Sequence, residues 1–368
     1  MSKSLLKEEL LRCCRSESIS EEGLRNIIER HGLSKNLSSF QFFFHAACCN
    51  ERVTKEIIQC LLEYFPNAAS AIDDNNGWSP LHVVCGNKNV TLNIIQPLID
   101  AAPDSIRSED HIGCMPLHHL CLNGEEMDET AALGILKLLI QKHPEAVQHA
   151  DNFGGLPILI ASGRRKPEFC RVLIEAYPGS ERISDVDGAL PLHCACTYNT
   201  LATVEYLYKL HPDAINHADT TDGMYPIHHA IMGIKKRTSP MDSAIIVKFL
   251  LDCDPNVKLQ KVDGCSLLHL ACVLEYEDSN ILAGIEVVKA IYDAHPEAIE
   301  ENCISSNIHD YQPPARAFIN RQLAYSRQAK DHRLMTAPDD NGQLPLHKAL
   351  HYNVTLGSIK LLVKGNPS

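Results

Sequence analysis

Tryptophan is nearly absent from this chain: its 368 residues hold one, Trp78, so any role for that ring falls on a single position. Basic residues are scarce beside acidic ones, 34 Lys and Arg against 46 Asp and Glu, for a net charge of −12. That balance argues against a protein built to grip nucleic acid, which carries a basic face, and its simplest effect is solubility. No apolar run approaches the ~20 residues of a membrane span. Lys and Glu interrupt Met1 to Leu11, where a signal peptide needs an apolar stretch. Four chemistry-bearing motifs are missing as well: Gly-x-x-x-x-Gly-Lys-Ser/Thr, Gly-x-Gly-x-x-Gly, His-Glu-x-x-His and Cys-x-x-Cys. The expectation is a chain that is not an enzyme and holds no cofactor or metal.

What the sequence does have is self-similarity. Leu190-Pro191-Leu192-His193-Cys194-Ala195-Cys196 has near-copies beginning at Ser79, Met115, Tyr225 and Leu344, and drifted ones at Leu156 and Ser266. An eighth, Phe43-Phe44-His45-Ala46-Ala47-Cys48, keeps the His without the Pro. Each copy reads as a helix start, because Pro suits the first helical position, where its missing N–H costs nothing. A second series of prolines, Pro66, Pro103, Pro144, Pro178, Pro212, Pro255, Pro296 and Pro367, follows apolar helical runs and ends them. From each of these to the next start the interval is 12 to 14 residues, until one of 49 after Pro296. From start to stop it varies from 21 to 29, with the surplus expected between the two helices of a unit. Repetition at this period signals a stack of helix pairs whose core grows as a line.

The pattern resembles the ankyrin repeat, whose signature is Thr-Pro-Leu-His-x-Ala. The resemblance implies an all-α repeat solenoid of stacked helix-turn-helix repeats joined by short hairpin fingers. It departs in the Thr slot, filled by Ser79, Met115, Leu156, Leu190, Tyr225, Ser266 and Leu344, which predicts weak helix caps. The resemblance also places Cys48, Cys85, Cys121, Cys196 and Cys272 as small residues between inner helices, where free Cys packs as a hydrophobe. His in the motif then links its finger and neighbouring units instead of holding Zn²⁺. Free thiols point to a reducing interior, cytoplasm or nucleus.

In chain order, residues 1–35 read as an N-terminal helical capping repeat, with Ser18 and Glu21 forming a capping box and Gly32 closing the second helix. Residues 36–299 read as the repeat array. Asp-Gly and Asn-Gly pairs mark the finger tips, as at Asn76-Gly77 and Asp340-Asn341-Gly342. Pro97 falls inside a second helix and is expected to kink it. Residues 300–338 are either a degenerate repeat or an inserted basic helix opened by Pro313-Pro314, and 339–368 read as the last repeat.

The function expected of such an array is a protein-protein interaction scaffold, monomeric, with an unidentified protein partner on its concave face. The side chains left free by the framework are Trp78, His111, Phe153 and Met224 on the fingers, His119, Cys194 and His229 after the framework His, and Tyr198 and Tyr352 at first-helix ends. Trp78 leads, since buried aromatics anchor interfaces; its alternative is packing against the adjacent finger. A second reading is a regulatory switch acting through the 304–336 segment or two basic inter-helix loops. Those loops are Arg164-Arg165-Lys166 and Lys235-Lys236-Arg237, the latter followed by Ser239, which phosphorylation would place beside its own cations.

Overall fold

The structure is a computed structural model and describes residues 3–31, 42–124, 126–301, 304 and 307–330. Two compact units divide the chain, residues 1–186 and 187–368. The first holds five helix pairs: α1 (Lys3–Arg15) with α2 (Glu21–Arg30), α3 (Phe42–Cys49) with α4 (Lys55–Tyr64), α5 (Pro80–Cys85) with α6 (Leu92–Ala101), α7 (Pro116–Leu122) with α8 (Glu129–Lys142), and α9 (Pro157–Arg164) with α10 (Pro167–Ala176). The second holds α11 (Pro191–Tyr198) with α12 (Leu201–Leu210), α13 (Pro226–Met232) with α14 (Met241–Cys253), α15 (Leu267–Val273) with α16 (Ile281–Ala294), and then α17 (Pro313–Lys330).

Stacking follows the repeat. Within the first unit, α1, α3, α5, α7 and α9 pack in series, and α2, α4, α6, α8 and α10 do so beside them. In the second, α13 packs on α11 and α15, while α14 lies between α12 and α16. The core between the rows is aliphatic: Leu81, Val84, Leu117, Leu120, Ile227 and Ile231 from first helices meet Ile95, Leu136, Val247 and Leu250 from second helices. Cys48, Cys85, Cys121, Cys196 and Cys272 are buried free thiols in this row, and burial pushes each pKa up.

The first helices solve their missing Thr caps with the motif histidine. In α5, α7, α11 and α13 the imidazole Nδ1 accepts the backbone N–H of the residue before Pro, from Ser79, Met115, Leu190 and Tyr225 at 3.0, 3.1, 3.1 and 3.2 Å. Any residue can supply that N–H, so Met, Leu and Tyr serve where a hydroxyl was expected. The unit at Ser266 departs: Leu267 replaces Pro, and His269 Nδ1 instead lies 2.9 Å from the Tyr311 hydroxyl.

Several expectations are corrected. The N-cap of α2 is Ser20, whose Oγ accepts from Gly23 N at 3.1 Å, and Ser18 stands outside the helix. The terminating prolines do more than stop a helix: Pro66, Pro103, Pro144, Pro212 and Pro296 each open a 3-10 turn of five residues. A fixed φ with no N–H to satisfy suits that start as well as an α-helix. Much of the surplus length in the longer units is helix, for α8, α14 and α16 run 14, 13 and 14 residues against 10 for α6 and α12. Helix α6 continues through Pro97. Gly32, residues 302, 303, 305, 306 and 331–338, the whole 339–368 repeat and the Asn341-Gly342 tip lie outside the described residues.

Candidate interaction surface

Four of the fingers are each wound around one carboxylate. Asp73 Oδ1 accepts from Asn75 N and Asn76 N at 2.8 Å each, and its Oδ2 from Trp78 N at 3.0 Å. Asp110 takes Ile112 N and Cys114 N, Asp151 takes Phe153 N and Gly155 N, and Asp219 takes Asp222 N and Met224 N, all between 2.8 and 3.0 Å. Burial alone would raise the Asp73 pKa, but these N–H donors hold it below the usual carboxylate range. Asp219 is the turn-forming residue of its finger, three residues before the Asp222-Gly223 pair.

Backbone bonds then join finger to finger. In the first unit His111 N donates to Asn76 O at 2.9 Å, Asn152 N to Ile112 O at 3.0 Å and Val186 N to Phe153 O at 3.1 Å. In the second, Thr220 N donates to Asp187 O at 2.8 Å. The approach is close enough that a Cβ on Gly113, at φ +78°, would come within 2.7 Å of the Asn152 side chain. Only the 261–266 finger forms a regular hairpin among the described residues, β1 (Lys261–Val262) against β2 (Cys265–Ser266), with Asp263 and Gly264 both at positive φ.

The candidate side chains separate into two groups. Trp78, His119 and His229 are tied into the framework. Asp110 Oδ2 accepts from both Trp78 Nε1 at 3.1 Å and His119 Nε2 at 2.9 Å, and the His119 ring stands edge-on to Trp78 and to His82. His229 repeats the arrangement on Asp219 Oδ2 at 2.9 Å, edge-on to His193, with its Nδ1 3.0 Å from Thr197 Oγ1. The others face outward to different degrees. His111 is exposed, with Nδ1 3.1 Å from Asn75 O. Phe153 is 60% exposed. Cys194 and Met224 are half-buried. Tyr198 is exposed, under the Lys236 ammonium at 5.3 Å from its ring centre. Tyr352 lies outside the described residues.

At the tips of the first unit's fingers two exposed apolar side chains were missed, Ile112 at 48% and Val186 at 65%. Together with Phe153 they occupy three consecutive tips joined by the backbone bonds just described. The signal for them was available: a turn centred on Gly needs no apolar side chain beside it, so one there is free for another use.

The basic loops divide in the same way. Arg164, Lys166, Lys235 and Lys236 are exposed, but Arg165 and Arg237 are buried, at 2% and 9% exposure. One arginine of each triplet is therefore taken up by the fold and is not free to meet a partner. Arg165 Nη2 donates to Leu120 O, and its guanidinium stacks 4.7 Å from the Phe169 ring centre. Arg237 donates to Cys196 O and Asn199 O, and its Nε to Ser243 Oγ at 3.0 Å. Both seal carbonyls at the C-terminal end of the preceding first helix, where no intrahelical donor exists.

Residues 127–216 match the family model of ankyrin repeats, in three copies. This segment of the chain is made of ankyrin repeats. No curated protein matches the chain. Asparagine performs the sealing task in the more N-terminal repeats: Asn50 Nδ2 donates to Cys14 O and Ser16 O, Asn87 Nδ2 to Cys48 O and Asn50 O, and Asn123 Nδ2 to Cys85 O. The repeats at Ser79 and Met115 are thus fastened to the one before at the helix end, through Asn87 and Asn123, and to the one after through His82 and His118. Among the described residues no three His, Cys, Asp or Glu side chains converge as a metal-binding set, and no helix is long and apolar enough to cross a membrane.

Proposed function

We propose that this chain is an interaction scaffold that holds a protein partner against its fingertips and the adjoining first-helix faces. Ankyrin repeats are in general protein-protein interaction modules. The observation that carries the reading here is the exposed apolar row Ile112, Phe153 and Val186 on three consecutive, hydrogen-bonded tips. Exposed apolar surface of that kind marks contact sites. Because carboxylates and neighbouring fingers already fix the tips, docking orders little chain, and the apolar burial is retained as binding free energy. His111 and Met224 flank tips, and Tyr198 with Lys236 offers a cation and a phenol at a first-helix end. On this reading the scaffold acts as a monomer inside the cell, in cytoplasm or nucleus, consistent with described cysteines that form no disulfide. Residues 300–338 are then a degenerate repeat: α17 packs on α16, and Tyr311 occupies the polar partner position of His269.

The test is comparative capture. Immobilised wild-type chain, Phe153→Asp/Val186→Asp and a control, Lys142→Glu on exposed α8 surface, are exposed to cell extract and the retained proteins quantified. The tip variant should lose most of what wild type and control retain while melting at the wild-type temperature. Equal recovery by all three would remove the fingertips as the site.

A further inference from the structure

We propose that Ser239 is a phosphorylation site for a proline-directed serine/threonine kinase, and that its phosphate is received by Lys235, Lys236 and the first turn of α14. This goes beyond the scaffold reading and does not depend on which partner is bound. The chain contains two Ser-Pro pairs, at 79–80 and 239–240, and the structure gives them opposite surroundings. Ser79 is buried, its Oγ 2.8 Å from His82 Nδ1, inside the cap of α5. Ser239 is exposed, in a linker exposed at Lys235, Lys236 and Thr238 as well.

That linker runs between two fixed points. On one side Arg237 is buried against Cys196 O, Asn199 O and Ser243 Oγ. On the other, α14 begins at Met241, with Ser239 O accepting from Asp242 N at 3.2 Å and Pro240 O from Ser243 N at 3.1 Å. A kinase would find a serine held at the surface and followed by Pro. In the transfer, Ser239 Oγ attacks the γ-phosphorus of Mg-ATP. A serine O–P bond forms as the bond to ADP breaks, and the hydroxyl proton passes to the kinase's base. The new group brings about −1.5 to −2 charge to the start of a 13-residue helix, whose dipole favours anions there. Two exposed lysines lie three and four residues upstream, and Asp242 is the one carboxylate in the first turn that opposes. Lys236 currently sits 3.5 Å from the Tyr198 hydroxyl, so a phosphate that draws it away also uncovers Tyr198.

The full chain is incubated with Mg-ATP and a proline-directed kinase, and phosphate is located by fragment mass spectrometry in wild type and Ser239→Ala. Phosphate should appear on Ser239 and not on Ser79, and should vanish in the variant, which melts like wild type. The phosphorylated chain and its Lys235→Gln/Lys236→Gln counterpart are then titrated by ³¹P NMR. The second phosphate ionisation, near 6 for an isolated phosphoserine, should fall in wild type and rise back in the double variant. An unmodified Ser239, or phosphate found only elsewhere, overturns the site. Superimposable titrations overturn the part assigned to the lysines.

Discussion

His193 Nε2 lies 3.0 Å from the main-chain oxygen of His217, on the next finger. Because its Nδ1 accepts from Leu190 N, the proton must sit on Nε2, so one neutral ring caps its own helix and ties down its neighbour. His82 and His118 repeat this on Cys114 O and His149 O. His228 does not: its Nε2 is buried without a partner.

That contrast makes the first prediction. His193→Ala leaves two buried backbone groups unpaired and should cost on the order of 1–3 kcal/mol, while His228→Ala removes one bond and an already orphaned nitrogen and should cost less. Urea denaturation, with hydrogen exchange to localise the loss, checks the order. Equal costs would mean the finger bond contributes nothing.

Acid sensitivity follows from the same rings. Burial first, and the neighbouring histidines second, push His82, His118 and His228 down to about 4 and His193 to about 3. In the unfolded chain a histidine binds its proton near 6.5. Between about 6.5 and 4 the unfolded state therefore carries more protons, and stability falls as pH falls, by up to roughly 1.4 kcal/mol per pH unit for each ring. Unfolding free energy measured from pH 7.5 to 4.5 should decline across this window, above the range where carboxylates titrate. A flat profile would contradict neutral, buried rings.

The two basic triplets should respond unequally residue by residue. Arg237→Ala exposes Cys196 O and Asn199 O without donors and is expected to cost about 2–3 kcal/mol. Arg237→Lys should recover little, since an ammonium cannot reproduce the fork. Arg164→Ala, on an exposed side chain, should fall within about 0.5 kcal/mol of wild type. Thermal melts of the three variants distinguish a buried peg from a solvated cation.

Trp78→Phe keeps an aromatic ring beside His119 and removes the bond to Asp110. The expected cost is about 1 kcal/mol, with intact helix content by circular dichroism. Loss of partner capture without any change in melting would instead mark the indole as a contact residue.

Much of the architecture was legible because prolines write helix starts directly into the sequence. Helix α17 begins at Pro313, where the Pro313-Pro314 pair was expected to open a helix. Ser18 was mistaken for the cap because Ser20 lies only two residues on, and spacing alone does not decide between them. The pegs were harder. Asn87 and Asn123 each fall seven residues past their start proline, a visible period, but their acceptors are main-chain carbonyls that no side-chain identity announces. Trp78 needed partners 32 and 41 residues away, Asp110 and His119, so its half-buried pose required the fold. Arg165 and Arg237 looked like surface cations because charge patterns do not say which way a long side chain turns.

The fastening of a repeat in both directions, as at His82 with Asn87, has a consequence for how the chain is made. A framework histidine such as His82 finds its acceptor 32 residues later, and a peg such as Arg237 reaches 41 residues back. During synthesis a repeat therefore stays unsealed at both helix ends until its successor has left the ribosome. The nascent array should carry one open repeat at its growing edge, which is where a chaperone would find it.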